Sequence, residues 1–186
     1  MFDLLWSDIS SNSILNYDNM NCLHSQLLLC GHLDGATAEI GVYEGTTSKM
    51  IISTTRKPHY CYDTFEGIVG SSSLYGDKHE NGEFVCHLEQ VKKNINVGSV
   101  IYKKGWFPDT FQEENISFCF VYSNTATYLG TKNTLECFTP TMVSGGKIVF
   151  YVDNNCLGVS KAIREFVNDN YSISYTNNFV IFTSKG

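Results

Sequence analysis

Two hydrophobic rhythms alternate along this chain. Short strand-like runs occur at 36–41, 59–62, 100–102 and 147–152 (KIVFYV), and a continuous apolar one at 116–122 (ISFCFVY). Runs of this kind are expected of parallel strands covered on both sides. Between them, apolar residues recur at helical spacing over 20–33, 49–54, 83–94, 131–138 and 159–168. The first of these helices is expected to end near Gly31, and Pro140 lies just beyond the fourth. Residues 144–146 (Ser-Gly-Gly) read as a turn. The chain closes with two β-rich runs, 171–175 and 179–183, around Thr176-Asn177-Asn178. Asn tolerates the left-handed turn conformation, so this reads as a terminal hairpin. Strands alternating with helices predict an α/β, Rossmann-like fold with a mostly parallel sheet and an antiparallel hairpin at its end.

The domain division follows the same pattern. Residues 1–35 read as a helical or arm segment, either laid over a pocket, exchanged in a homodimer, or loosely held. Residues 36–186 read as one domain, with 68–82 as a long loop of the kind that borders functional sites. A net charge of −6 and the absence of any basic run longer than Lys92-Lys93 or Lys103-Lys104 argue against nucleic acid or an anionic membrane as partner. No stretch approaches the ~20 apolar residues that span a bilayer. Seven widely spaced cysteines, with no C-x-x-C, predict reduced core thiols rather than zinc or disulfides, and a cytoplasmic protein.

Chemistry concentrates at AEIGVYEGTTSKMI, residues 38–51. Glu39, Gly41 and Gly45 form E-x-G-x-x-x-G between a strand and a helix that begins near Thr46. Glycine permits the sharp turn and a close backbone approach, and a helix start favours negative charge. A dinucleotide site would carry glycine where Glu39 stands. A glutamate there repels pyrophosphate and attracts a sulfonium or ammonium group, which points to S-adenosylmethionine (SAM). Asp63, 18 residues after Gly45, ends the second strand, where an acidic side chain can accept from both ribose hydroxyls; an ordinary turn aspartate is the equal alternative.

Several stretches occur together and in order: GVYEGTTS, YDTFEGI, KKGWFPDTF, Tyr128-x-x-Thr131-Lys132, VSGGKIVF and KAIREF. Between residues 38 and 166 they resemble the macrocin O-methyltransferase (TylF/MycF-like) family of class I SAM-dependent methyltransferases, which act mostly on sugar hydroxyls. The resemblance implies a seven-stranded sheet and a SAM site formed by Glu39, Gly41, Tyr43, Gly45, Thr46, Asp63, Phe65, Gly105 and Trp106. It also implies a small-molecule acceptor. Core packing is the favoured reading of Phe107.

The family binds magnesium through a D-x-D-x-Y segment and an Asp-Asp pair. Here those positions read Asn124-Thr125-Ala126-Thr127-Tyr128 and Tyr151-Val152, with Asp153 alone nearby. Mg²⁺ requires carboxylate oxygens in octahedral array, so no metal is expected. Methyl transfer then needs a protein base, and the candidates are His79, His87, Asp109, Tyr151 and Asp153, with His79 first. The chain is also short for the family in the parts that enclose an acceptor. Three readings remain open: a metal-independent O-methyltransferase, another SAM-using reaction such as cleavage or cyclisation, and a non-catalytic binding protein on the same fold.

Overall fold

The structure, a computed structural model, describes residues 2–113, 115–152 and 156–186. Strands β1 (Ala36–Ile40) and β4 (Phe118–Ser123) are buried at every position, β1 with Thr37 and Glu39 among its residues. They lie at the centre of a seven-stranded sheet with β2 (His59–Asp63), β3 (Val100–Lys104), β5 (Met142–Tyr151), β6 (Tyr171–Thr176) and β7 (Phe179–Ser184). The order is β3-β2-β1-β4-β5-β7-β6. Pairings among β1 to β5 are parallel, whereas β7 runs antiparallel to both β5 and β6.

Helices cover both faces. On one, α5 (Tyr128–Phe138) and α6 (Leu157–Glu165) bury Leu135, Phe138, Val159 and Ile163 against Ala38, Ile40, Phe118, Val121, Ile148 and Phe150. Tyr62, Phe107, Phe111 and Phe138 join them in an aromatic group with ring centroids 5.1–6.2 Å apart. Each such fully buried ring contributes about 2–3 kcal/mol of apolar transfer. On the other face α1 (Phe2–Ile9), α2 (Tyr17–Cys30) and α3 (Thr46–Thr55) bury Ile9, Leu23, Leu27, Met50 and Ile51 against Phe120, Tyr122 and Val149. Helix α4 (Leu88–Ile95) packs Val91 and Ile95 against Ile52, Cys61 and Phe65. Alternation along β1 therefore sends Ala38 to one layer and Glu39 to the other.

Two local expectations need correction. The periodicity from 83 suggests a helix, but α4 begins at Leu88. Glu83 is tied instead to the loop ahead of it: the Ile68 amide donates to the Glu83 carbonyl (2.8 Å), and the Gly82 amide to that of Ile68 (2.8 Å). Phe84, at φ +59°, has no helical geometry. Secondly, Ser144-Gly145-Gly146 lies inside β5 rather than before it. The register there jumps from Phe118↔Met142 to Phe120↔Lys147, so the glycines form a bulge, with Gly145 at φ +76°.

Candidate functional site

A cleft of about 380 Å³ opens at the carboxyl ends of β1, β2 and β4. This is the point where successive connections leave the sheet in opposite directions, the usual ligand position in open α/β sheets. Gly41, Asp63 and Asn124 line it from the strand ends, Gly105 and Trp106 from the segment after β3, and Ile14 and Leu15 from the connection between α1 and α2. Ile68, Val69, His79 and Phe84 line it from the long loop.

Gly41 is required by space. It sits at φ +82°, and a Cβ there would fall 2.6 Å from the Asn124 carbonyl oxygen. Its partner across the turn is Asp63. One carboxylate oxygen accepts from the amides of Val42 (2.7 Å) and Tyr43 (3.1 Å), and the other from the amide of Phe65 (2.7 Å). A carboxylate offers about four acceptor directions; the Thr64 hydroxyl, 3.5 Å away, gives its hydrogen to the Gly67 carbonyl (2.6 Å), so these three bonds leave Asp63 about one for the cleft. Asp63 thus fastens the glycine turn to the tip of β2.

Glu39 is buried below that turn. Its carboxylate accepts from the Ser48 hydroxyl, with further bonds from the Ser48 amide and the Thr47 hydroxyl. The first turn of α3, expected to face a ligand, is therefore partly satisfied by Glu39 itself. Burial pushes the Glu39 carboxyl up to about 8, against those hydrogen bonds. Ser48 continues the network to His59 Nε2 (3.0 Å), whose Nδ1 meets Thr37 Oγ1 at 2.9 Å. Burial draws the His59 imidazole down to about 3. Glu39 also lines a small recess beside the main cleft, with Gly41, Tyr43 and Thr46, beneath Asn12–Leu15. The Thr46 hydroxyl donates to the Asn12 carbonyl (2.9 Å), and Lys49 pairs with Asp8 (2.8 Å), which fixes this strap over α3.

The long loop is latched at its far side. Asp77 accepts from the amides of Tyr128 (2.8 Å) and Ser72 (3.0 Å), and the Gly158 amide donates to the Gly76 carbonyl (3.1 Å). Tyr75 stacks on Tyr128 with centroids 4.5 Å apart, and Lys161 lies over both rings. So held, the loop brings His79 to the cleft. Its Nδ1 lies 2.8 Å from a Glu83 carboxylate oxygen, and its ring meets the edge of Phe84 at 4.9 Å.

Of the residues expected at a site, Gly41, Tyr43, Asp63, Gly105, Trp106, His79 and Tyr151 line this cleft, and Glu39 and Thr46 the adjoining recess. Four are not brought there. Gly45 faces protein: a Cβ would fall 2.7 Å from Ile95 Cγ1, so its role is to let α4 approach α3. Phe65 is buried among Val42, Cys61 and Val91. Asp109 is exposed away from the cleft, and His87 lies outside it as the residue before α4. Asp153 lies outside the described residues. Phe107 belongs to the core and also touches the cleft. Sequence reasoning missed Glu83 and Asp77; the four-residue spacing from His79 to Glu83 was visible, but it was absorbed into a helix.

Among the described residues, the donors at the strand ends do not suit magnesium. At the ends of β4 and β5 the cleft carries Asn124, Thr125, Ala126 and Tyr151, all neutral. Among the described residues no group of three His, Cys, Asp or Glu is placed to hold a metal ion. A hard divalent cation needs carboxylate oxygens that this set lacks. A nucleoside bearing a cationic sulfur fits better, with an acceptor direction at Asp63, an indole at Trp106 and a carboxyl at Glu39.

Superposition on solved structures tests the architecture directly. The O-methyltransferase NovP matches with a TM-score of 0.77 over 94% of this chain and 82% of its own, at 19% identity. The fold is that of the class I methyltransferases. CalS11, a calicheamicin methyltransferase, matches with a TM-score of 0.75 over 97% of this chain and 90% of its own, at 14% identity. An O-methyltransferase from Bacillus cereus in complex with SAH gives 0.65 over 98% and 89%, at 12% identity. No protein-family model matches the sequence, and no curated protein matches it. Among the described residues of this methyltransferase fold, no helix is long and apolar enough to cross a membrane.

Proposed function

We propose that this chain is a SAM-dependent O-methyltransferase acting on a small hydroxylated molecule without a resident metal ion. The observation that carries the reading is the cleft at the β1/β4 switch point, which Asp63, fixed by three amides, lines together with Trp106. Asp63 would accept one ribose hydroxyl, and Trp106 with Gly105 would border the adenine. Glu39 and the recess under Asn12–Leu15 would take the amino-acid end, its carboxyl ionising as a cation approaches. When bound, SAM supplies a methyl group on a positively charged sulfur. His79 is the group on the cleft wall suited to accept the acceptor's proton, and Tyr151 lines the same space. The apolar walls exclude water, so placement of the reacting groups provides the larger part of the acceleration.

Calorimetry tests the first half. SAM is expected to bind in a saturable way, and Asp63→Ala to weaken it at least tenfold; absence of binding would refute the reading. Mass spectrometry tests the second. S-adenosylhomocysteine (SAH) is expected only when an acceptor is present, whereas turnover of SAM alone would favour cleavage or cyclisation.

A further inference from the structure

We propose that the acceptor is an uncharged phenol whose proton passes to His79, with Glu83 as the residue that positions the imidazole. The inference rests on the O-methyltransferase reading and specifies its substrate class.

The first observation is the charge of the cleft. Among the described residues that line it there is no lysine and no arginine, while Asp63 contributes a carboxylate. The lysines at the end of β3 are engaged elsewhere, Lys103 with Glu113 at 2.5 Å and Lys104 with Glu66 at 2.8 Å. Lys161 rests on the Tyr75 and Tyr128 rings. A diphosphate or carboxylate placed in this cleft would lose hydration and find no cation in exchange. The walls offer Tyr43, Ile68, Val69, Phe84 and Trp106, surfaces that suit a flat apolar ring.

The second observation is the His79–Glu83 pair. Glu83 is fixed from two directions: one carboxylate oxygen accepts from the Glu80 amide (3.0 Å), and the other faces His79 Nδ1 (2.8 Å). The Glu80 amide and His79 hold the Glu83 carboxyl below its usual range, so it stays ionised. A carboxylate accepts and never donates, which assigns the hydrogen to Nδ1 and leaves Nε2 with a lone pair. Phe84, at φ +59°, places its ring against His79 and, at 5.7 Å, against Tyr43.

Proton affinity then selects the acceptor. An imidazolium gives up its proton near pH ~6.5 and a phenol near ~10. An aliphatic or sugar hydroxyl holds its proton more tightly than a phenol does. Transfer to an imidazole is thus less uphill from a phenol than from a sugar hydroxyl. A metal ion could close the second gap, but the donors here do not suit one. In the reaction, the phenolic oxygen gives its proton to Nε2 and forms the new C–O bond. The carbon–sulfur electron pair stays on sulfur, giving SAH and imidazolium.

The full chain with SAM would be offered para-substituted phenols, a methyl glycoside and a nucleoside-diphosphate hexose, with SAH followed by mass spectrometry. Turnover is expected with the phenols alone, and His79→Gln should lower it by about 10²–10⁴-fold while SAM affinity holds. ¹⁵N-histidine NMR of the protein without ligand is expected to give the Nδ1–H tautomer, lost in Glu83→Ala. Preferred turnover of either sugar, phenol turnover indifferent to His79→Gln, or an Nε2–H tautomer in the unsubstituted protein would each overturn the proposal. If SAM binds and no phenol reacts, the proposal fails by itself; if calorimetry finds no SAM binding, the O-methyltransferase reading fails with it.

Discussion

Gly158→Ala should reverse sign according to what residue 77 is. Gly158 lies in the first turn of α6, where alanine normally gains up to about 1 kcal/mol of helix stability. Here the new Cβ would fall 1.9 Å from an Asp77 carboxylate oxygen and 3.2 Å from the Tyr128 amide nitrogen. Asp77 must swing away, giving up its bonds to the amides of Tyr128 and Ser72. Hydrogen bonds to a charged acceptor are worth about 1.5–3 kcal/mol each, and half-exposure places these toward the low end. A carboxylate at the start of α5 adds about 0.3–1 kcal/mol. The loss outweighs the helix gain, for a net destabilisation of about 2–4 kcal/mol. In a chain of this size each kcal/mol moves Tm by about 2–4 °C. With Asp77→Ala already present, only the 3.2 Å approach to the Tyr128 amide remains, and Gly158→Ala should stabilise by less than about 1 kcal/mol. Thermal and urea unfolding of the four proteins measures the cycle. If Gly158→Ala stabilised both backgrounds, the latch would not exist as described.

Glu39 and His59 should set the pH profile of stability. The Glu39 carboxyl, raised from 4.5 to about 8 by burial, contributes stability that is complete below pH 4.5 and lost as pH rises through 8. The His59 imidazole, lowered from 6.5 to about 3, contributes stability present above pH 6.5 and lost as pH falls toward 3. The two slopes cancel between pH 4.5 and 6.5, so urea midpoints should be flat there as far as this pair is concerned. They should fall between 6.5 and 8, and Glu39→Gln should abolish that fall; a fall of unchanged size would show the assignment to be wrong. Gly41→Ala forces a side chain to φ +82° and into the Asn124 carbonyl, and should cost about 1–3 kcal/mol in urea unfolding together with most SAM affinity. EDTA should leave SAM affinity and SAH formation unchanged, and tight calorimetric binding of Mg²⁺ would contradict the assignment of a metal-free site.

Much of the fold was legible because its signals are local. A continuous apolar run marked β4, and Asn177-Asn178 marked the hairpin. Gly41 and Asp63 were legible as well, since a turn and a strand tip are fixed by neighbours in the chain. The role of Gly45 was misjudged because the atoms that fill its space, from Val91 and Ile95, lie more than forty residues away. The helix expected from 83 failed for a related reason: Phe84, Leu88 and Val91 have helical spacing, but Glu83 exchanges its backbone bond with Ile68 instead.

The sequence by itself therefore determined the layered sheet and the turn that shapes the cleft. Tertiary structure alone decided which side chains meet there. Asp77 closing on Tyr128 brings His79 to the cleft with Glu83 against its Nδ1, and Glu39 turns inward to Ser48 and the His59 network. Residue identities settle what each group can donate or accept; only packing between distant segments settles what stands within its reach.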